Sequence, residues 1–286
     1  MNPARSARCL AICRRSAWQL LLVSLGMLAG CSALSLAYMN APTLGVLRID
    51  AALDLPQVQR DQLADAAAEV HAWHRQQPRR ELAALLREAR HRLAGPIEQS
   101  DGEWIVAAAQ NHVREVGERL AIAFGSRMTR FSPAEIARIE RRLDERRAEF
   151  ADEIGAGDPA RERDLRIERI EEAIDDWLGS VSERQRALVR ASRAVAGFDA
   201  TLWLQERARR ERWLLDALAA ADGGESLKLW FNDWRKGRTA PAAAAMDVQQ
   251  AEAIAMWVAV VNGADAEQRA HLIERLSEWI EVFGDD

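Results

Sequence analysis

Helix start and stop residues recur along this chain at intervals of one helix length, and almost nothing in it reads as strand. There is one tyrosine, few β-branched runs and no alternating apolar–polar segment bounded by turn residues. An all-α protein is therefore expected, a multi-helix bundle of nine or ten helices with antiparallel helical hairpins. Asp54 before Pro56 and Gln57 opens a segment running to Gln76, and Pro78 restarts a helix that stops at Gly95-Pro96. Ser100 with Glu103 reads as a capping box for a helix ending at Gly125. Ser132-Pro133-Ala134-Glu135 is the clearest start: the serine oxygen can accept a backbone N–H, and proline sits where an N–H would be unpaired anyway. That helix stops at Gly155. Asp158-Pro159 to Gly179, Ser182 with Gln185 to Gly197, and Asp199 to Gly223-Gly224 follow. A short Trp-rich helix comes next, then a linker at 236–246 with Gly237, Pro241 and a run of alanines. The last helices start at Asp247 with Gln250 and at Asp265 with Gln268.

The apolar register supports packing. Ile136, Ile139, Leu143, Phe150 and Ile154 keep a three-four spacing, as do Ile167, Ile170, Ile174 and Trp177, so each helix shows one narrow apolar seam between charged faces. Joined by Gly155 to Asp158, the two are expected to close as an antiparallel helical hairpin. A cap residue followed three positions on by Gln or Glu and then an apolar run appears at Asp54, Ser132, Ser182 and Asp265. The irregular intervals point to shared helix-start chemistry rather than a solenoid.

The first thirty residues differ in kind. Arg5, Arg8, Arg14 and Arg15 precede an apolar run from Ala17 to Leu28, too short for the roughly 20 residues of a stable membrane span. Leu28-Ala29-Gly30-Cys31 resembles the lipobox of bacterial lipoproteins. That resemblance implies cleavage between Gly30 and Cys31, and lipidation of the Cys31 thiol with chains such as palmitate. It also implies, from Ser32 in the following position, transfer to the outer membrane. Cys9 and Cys13 leave with the signal peptide, so no disulfide is expected in the mature chain. Losing four arginines from a formal net charge of −5 leaves about −9, a balance that disfavours nucleic acid as a partner. The expected organisation is a signal peptide at 1–30, a lipid-anchor and N-terminal segment at 31–53, and a main helical domain at 54–235. The linker at 236–246 and a C-terminal helical hairpin at 247–286, packing on the main domain, complete it.

Candidate sites are few. His71 and His74 share a helix face near Glu69, and Glu88 with His91 has Glu-x-x-His spacing, but a di-iron bundle needs a second copy and further carboxylates that are missing. Satisfied or exposed histidines, and no metal or other cofactor, are the expectation. The tryptophans of the mature chain recur at apolar helical positions and read as core anchors, whereas Trp230, Phe231 and Trp234 lie beside Lys228, Arg235, Lys236 and Arg238 and suit contact with a partner or a membrane. Arg207, Arg209, Arg210 and Arg212, interspersed with Glu206 and Glu211, read as a solvated, ion-paired face. No Gly-rich phosphate loop, Ser-His-Asp order, Cys-His pair or zinc spacing is present, so no catalytic residue is assigned.

Several segments together resemble an uncharacterised family of Gram-negative lipoproteins known as a domain of unknown function. They are Tyr38-Met39-Asn40-Ala41-Pro42, Asp54-Leu55 with Gln59, Trp73-His74-Arg75, Phe131-Ser132-Pro133 with Glu135 and Ile136, Trp177-Leu178-Gly179 with Gln185, Trp203-Leu204 with Glu206-Arg207, and Gln268-Arg269. Gln76-Gln77-Pro78 departs from the leucine and proline that family members carry after the Trp-His-Arg segment. The family implies a helical, membrane-anchored envelope protein and no activity. Ser182-Glu183-Arg184-Gln185 and Asp265-Ala266-Glu267-Gln268 are similar, more loosely, to the helix starts of the Spy and CpxP periplasmic chaperones. The function expected is that of a non-enzymatic binding or scaffold lipoprotein, outer-membrane-anchored through its N-terminal lipid, facing the periplasm and bound to an envelope protein partner; the alternative is a chaperone-like holder of unfolded periplasmic proteins.

Overall fold

The computed structural model describes residues 33–233 and 235–284. The signal stretch, the cleavage and lipidation positions Gly30 and Cys31, and Trp234 lie outside them. The described chain is all-helical, with thirteen helices rather than nine or ten. They are α1 (33–39), α2 (Ala41–Leu53), α3 (Gln57–His74), α4 (Gln77–Leu93), α5 (Gln99–Gly125), α6 (Pro133–Glu153), α7 (Pro159–Leu178), α8 (Glu183–Ala191), α9 (Arg193–Ala196), α10 (Ala200–Ala220), α11 (Glu225–Asn232), α12 (Ala240–Asn262) and α13 (Ala266–Gly284). The extra helices come from the N-terminal segment, which is helical, and from Ser192, which ends α8 and caps α9. Among the described residues no helix is long and apolar enough to cross a membrane.

Local chemistry sets most helix ends. Ser132 and Glu135 form a reciprocal capping box, as do Ser182 with Gln185, while Asp158 and Asp199 accept N–H bonds from the first turns of α7 and α10. Asp265 and Gln268 exchange side chain and backbone in the same way at the start of α13. Three expected starts move. Pro56 rather than Asp54 precedes α3, because Asp54 takes a left-handed conformation that terminates α2. The box at the start of α5 is Glu98 with Asp101, two residues before the Ser100 and Glu103 pair. Thr239 caps α12, so the stretch read as a linker at 236–246 is helical from Ala240 on, and Asp247 sits inside that helix.

Burial divides between two hydrophobic clusters. The first gathers α2, α3, the C-terminal half of α5, α6, α10 and α11 around Leu63, Ala66, Ala121, Ile139 and Leu218. The second gathers α4, α7, α8, α9, α12 and α13 around Ile174, Leu178, Val189, Val260 and Leu276. Trp104 and Ile105 of α5 pack on the second cluster while Ala121 and Phe124 belong to the first, so this long helix joins them. The expected α6–α7 hairpin is corrected here. Its two apolar seams exist, but Ile139 and Leu143 bury against α10, and Ile167 and Ile174 bury in the other cluster. At the other end of α5 the backbone of Gly125 meets that of Gly224, where a Cβ on Gly125 would lie 2.2 Å from the Gly224 Cα. The glycines that read as helix stops are thus a backbone crossing that admits no side chain.

The tryptophans are not the deep core. All those described are half-buried, except Trp203, which is exposed. Trp73, Trp104 and Trp177 pack on the clusters under Arg119, Arg92 and Arg275, and Trp213 carries Lys236 on its face. A ring this large gains apolar contact on one face while the other stays available to a guanidinium.

Candidate functional site

Above the first cluster, along the middle of α5, lies a cavity of about 1170 Å³ open to solvent. It exceeds the ~300–1,000 Å³ of ordinary small-molecule sites. Leu53 of α2, Val116 and Leu120 of α5, Leu214 of α10 and Leu227 of α11 form its apolar floor. Trp230 and Phe231 close one side. Phe231 lies flat on Gly117, where any Cβ would come within 2.4 Å of the ring. Trp230 donates its indole N–H to the Arg210 carbonyl at 3.0 Å and carries the Arg210 guanidinium on its face. These two aromatics, read from sequence as a partner or membrane contact, therefore line an internal recess.

The polar wall comes from α10, with α7, α12 and the turn before α12. The arginine–glutamate cluster is ion-paired as expected and Arg212 is exposed, but its two carboxylates are not solvated: Glu206 and Glu211 are 7% and 8% exposed. Glu206 accepts two bonds from Arg209, at 2.6 and 2.8 Å, and one from Arg238 at 2.7 Å. Burial raises its carboxyl pKa, yet the hydrogen bonds and charges of Arg209 and Arg238 prevail and hold it below the usual range. Glu211 accepts from Arg207 at 2.9 Å and from Arg147 of α6. Asp247, also on the wall, pairs with Arg235. Arg166 of α7 differs, since no carboxylate lies within ion-pair reach of it among the described residues. Its guanidinium stacks on Phe198 and makes one long bond, 3.4 Å, to the Ala194 carbonyl, while its Nε is shut off from solvent without a partner there. Burial, with the like charge of Arg169, pushes its pKa down to about 10. Nothing in the local sequence marks Arg166, because its place on the cavity wall comes from how the helices pack.

The histidines form a separate cluster. His74 Nδ1 lies 2.9 Å from the Tyr38 hydroxyl and its Nε2 lies 3.1 Å from Nε2 of His112. Both contacts are satisfied when Tyr38 donates to Nδ1 and the His74 Nε2–H donates to His112. The Tyr38 ring also meets His71 and Phe283 edge-on, so α1, α3, α5 and α13 converge here. The expected carboxylates are elsewhere: Glu69 pairs with Arg127 and Glu88 with Arg92. No group of three or more metal-ligating side chains is present among the described residues.

Burial, then the charges of His112, His71 and Arg79, pushes the pKa of His74 from 6.5 to about 4. Burial lowers His112 as well, against Glu115 and Glu81, and lowers His71, to which Arg75 adds. The neutral form of His74 is the one the fold holds. Its contribution is complete above pH 6.5 and is lost as pH falls toward 4, when the folded state must also take up the proton. Urea midpoints between pH 7 and pH 4 should fall by an amount equivalent to roughly 2–3 kcal/mol from this group. His74→Leu should flatten that part of the slope; an unchanged slope would remove His74 as its cause.

Residues 51–230 match the model of a family described as a family of unknown function (DUF6279). The matched stretch reaches from the last residues of α2 to Trp230, and includes Arg166, Glu206 and Arg210 of the cavity wall. No curated protein and no solved structure matches the chain.

Proposed function

We propose, for a chain that belongs to the DUF6279 family of unknown function, that it is a non-enzymatic binding protein of the cell envelope which holds an apolar partner in the cavity over α5. The cavity is the observation that carries this reading. None of its described lining residues is Ser, Thr, Cys, His, Lys or Tyr, and its carboxylates are each engaged by arginine, so its wall is suited to holding rather than to proton or acyl transfer. The anchor belongs to the same proposal: cleavage before Cys31 and its lipidation tether the chain to the outer membrane, facing the periplasm. Leu36 and Met39 of α1 and Leu44 and Leu47 of α2, a few residues beyond Cys31, are exposed apolar side chains, each pair spaced to share a helix face, which suits an end lying against a bilayer.

One cell experiment tests both parts. A photoreactive residue at Val113, which lines the cavity and is 58% exposed, should give one or a few discrete adducts in living cells. Absence of adducts would sink the cavity reading. Cys31→Ala in the same cells should remove the protein from the outer-membrane fraction, and unchanged fractionation would sink the anchor. The size of the cavity favours a second reading, a chaperone-like holder of unfolded periplasmic proteins, which instead predicts a broad range of polypeptide adducts.

A further inference from the structure

We propose that the occupant is a single-chain anionic amphiphile of the fatty-acid type, its acyl chain along the floor over α5 and its carboxylate beside Arg166. The inference rests on the cavity-binding reading and adds the chemistry of the ligand. Three carboxylates line the wall and all three are committed: Glu206 to Arg209 and Arg238, Glu211 to Arg147 and Arg207, Asp247 to Arg235. Arg166 shares that wall with no carboxylate within ion-pair distance among the described residues, Glu162 one turn earlier acting on it only through its charge, and with one weak carbonyl bond and an Nε left without a partner there. A guanidinium in that state presents a planar fork matched to two carboxylate oxygens, and a charge-assisted bond replaces the hydration it has lost.

The remainder of the ligand follows from what the wall lacks. A sugar or nucleotide would leave hydroxyls and ring nitrogens against Leu53, Leu120, Leu214 and Leu227, a floor that offers them no hydrogen-bonding side chain. A polypeptide segment would bring a backbone N–H and C=O at every residue, each needing a partner. An acyl chain brings neither. Its flexibility lets it follow the floor of a recess of about 1170 Å³.

The test uses the lipidated chain in vesicles of neutral lipid, titrated with a long-chain fatty acid carrying a fluorescent polyene and, separately, with the alcohol of the same chain. Energy transfer from the tryptophans reports occupancy, since Trp203 and Trp230 line the cavity. The acid is expected to bind at least about tenfold tighter than the alcohol, the scale of one charge-assisted hydrogen bond. Arg166→Gln should erase that preference by weakening the acid alone, and Arg166→Lys should restore part of it. Thermal melts of both variants must match the parent for the comparison to count. Equal affinity for acid and alcohol in the parent, or an unaffected acid affinity in Arg166→Gln, overturns the anionic ligand while leaving an apolar cavity-binding protein. Binding of neither probe overturns the inference as well, with the cavity reading then decided by the Val113 adducts.

Discussion

Replacing Gln185 with leucine is expected to lower the unfolding free energy by about 4 kcal/mol, although the exchange puts an apolar side chain at a fully buried position. The amide of Gln185 ties together three elements. Its Nε2–H groups donate to the Val260 carbonyl of α12 at 3.3 Å and to the Gln268 oxygen of α13 at 3.1 Å. Its oxygen accepts from the Ser182 backbone N–H and from Gln268 Nε2, each at 2.9 Å. Leucine strands those groups where water does not reach, at about 1–3 kcal/mol for each one left unsatisfied. Gln268, 2% exposed, also donates to the Ser180 carbonyl at 2.9 Å and closes the Asp265 cap, so it keeps part of its set. The double replacement Gln185→Leu with Gln268→Leu should therefore cost clearly less than the two single losses added, with a coupling of at least about 1 kcal/mol. Denaturant unfolding of the four proteins in the cycle measures it. Strict additivity, or a single-site loss under about 1 kcal/mol, would mean the two amides do not act as a unit.

This pair shows what the sequence made legible. Ser182 with Gln185 and Asp265 with Gln268 were readable as helix starts, because a capping box is closed within four residues of chain. That the two boxes meet tail to tail, 83 residues apart, was not, since the meeting depends on how α8, α12 and α13 pack. The seams of α6 and α7 were visible for the same local reason, and their assignment to one hairpin failed because an apolar stripe does not name its partner. The alanines and Pro241 before Met246 resembled a linker, but alanine is also the best helix former, and Thr239 with an early proline makes that stretch a good helix start. The cavity was not readable at all. Its walls are drawn from eight helices and the turns beside them, and Arg166 is one arginine of many on charged helix faces.

Glu206→Ala should be the other strongly destabilising change, at about 3–5 kcal/mol, because it removes the buried anion that Arg209 and Arg238 share. Those side chains are 17% and 13% exposed, so neither can recover full hydration without leaving its place. Surface pairs set the contrast. Arg142 with Glu145, whose glutamate is 63% exposed, should change stability by less than about 1 kcal/mol when broken and be screened by salt. The Glu206 loss should persist at high salt. Arg238 stands in the turn between α11 and α12, so the variant should also raise hydrogen exchange at the start of α12 before global unfolding begins. Removing the Glu206 charge from the cavity wall should at the same time tighten binding of the anionic amphiphile, while the neutral alcohol shows no gain. Stability and acid affinity would then move in opposite directions. A variant that lost both together would show that Glu206 supports only the shape of the wall, and one that kept its stability would show that Arg209 and Arg238 find solvent or another anion without it.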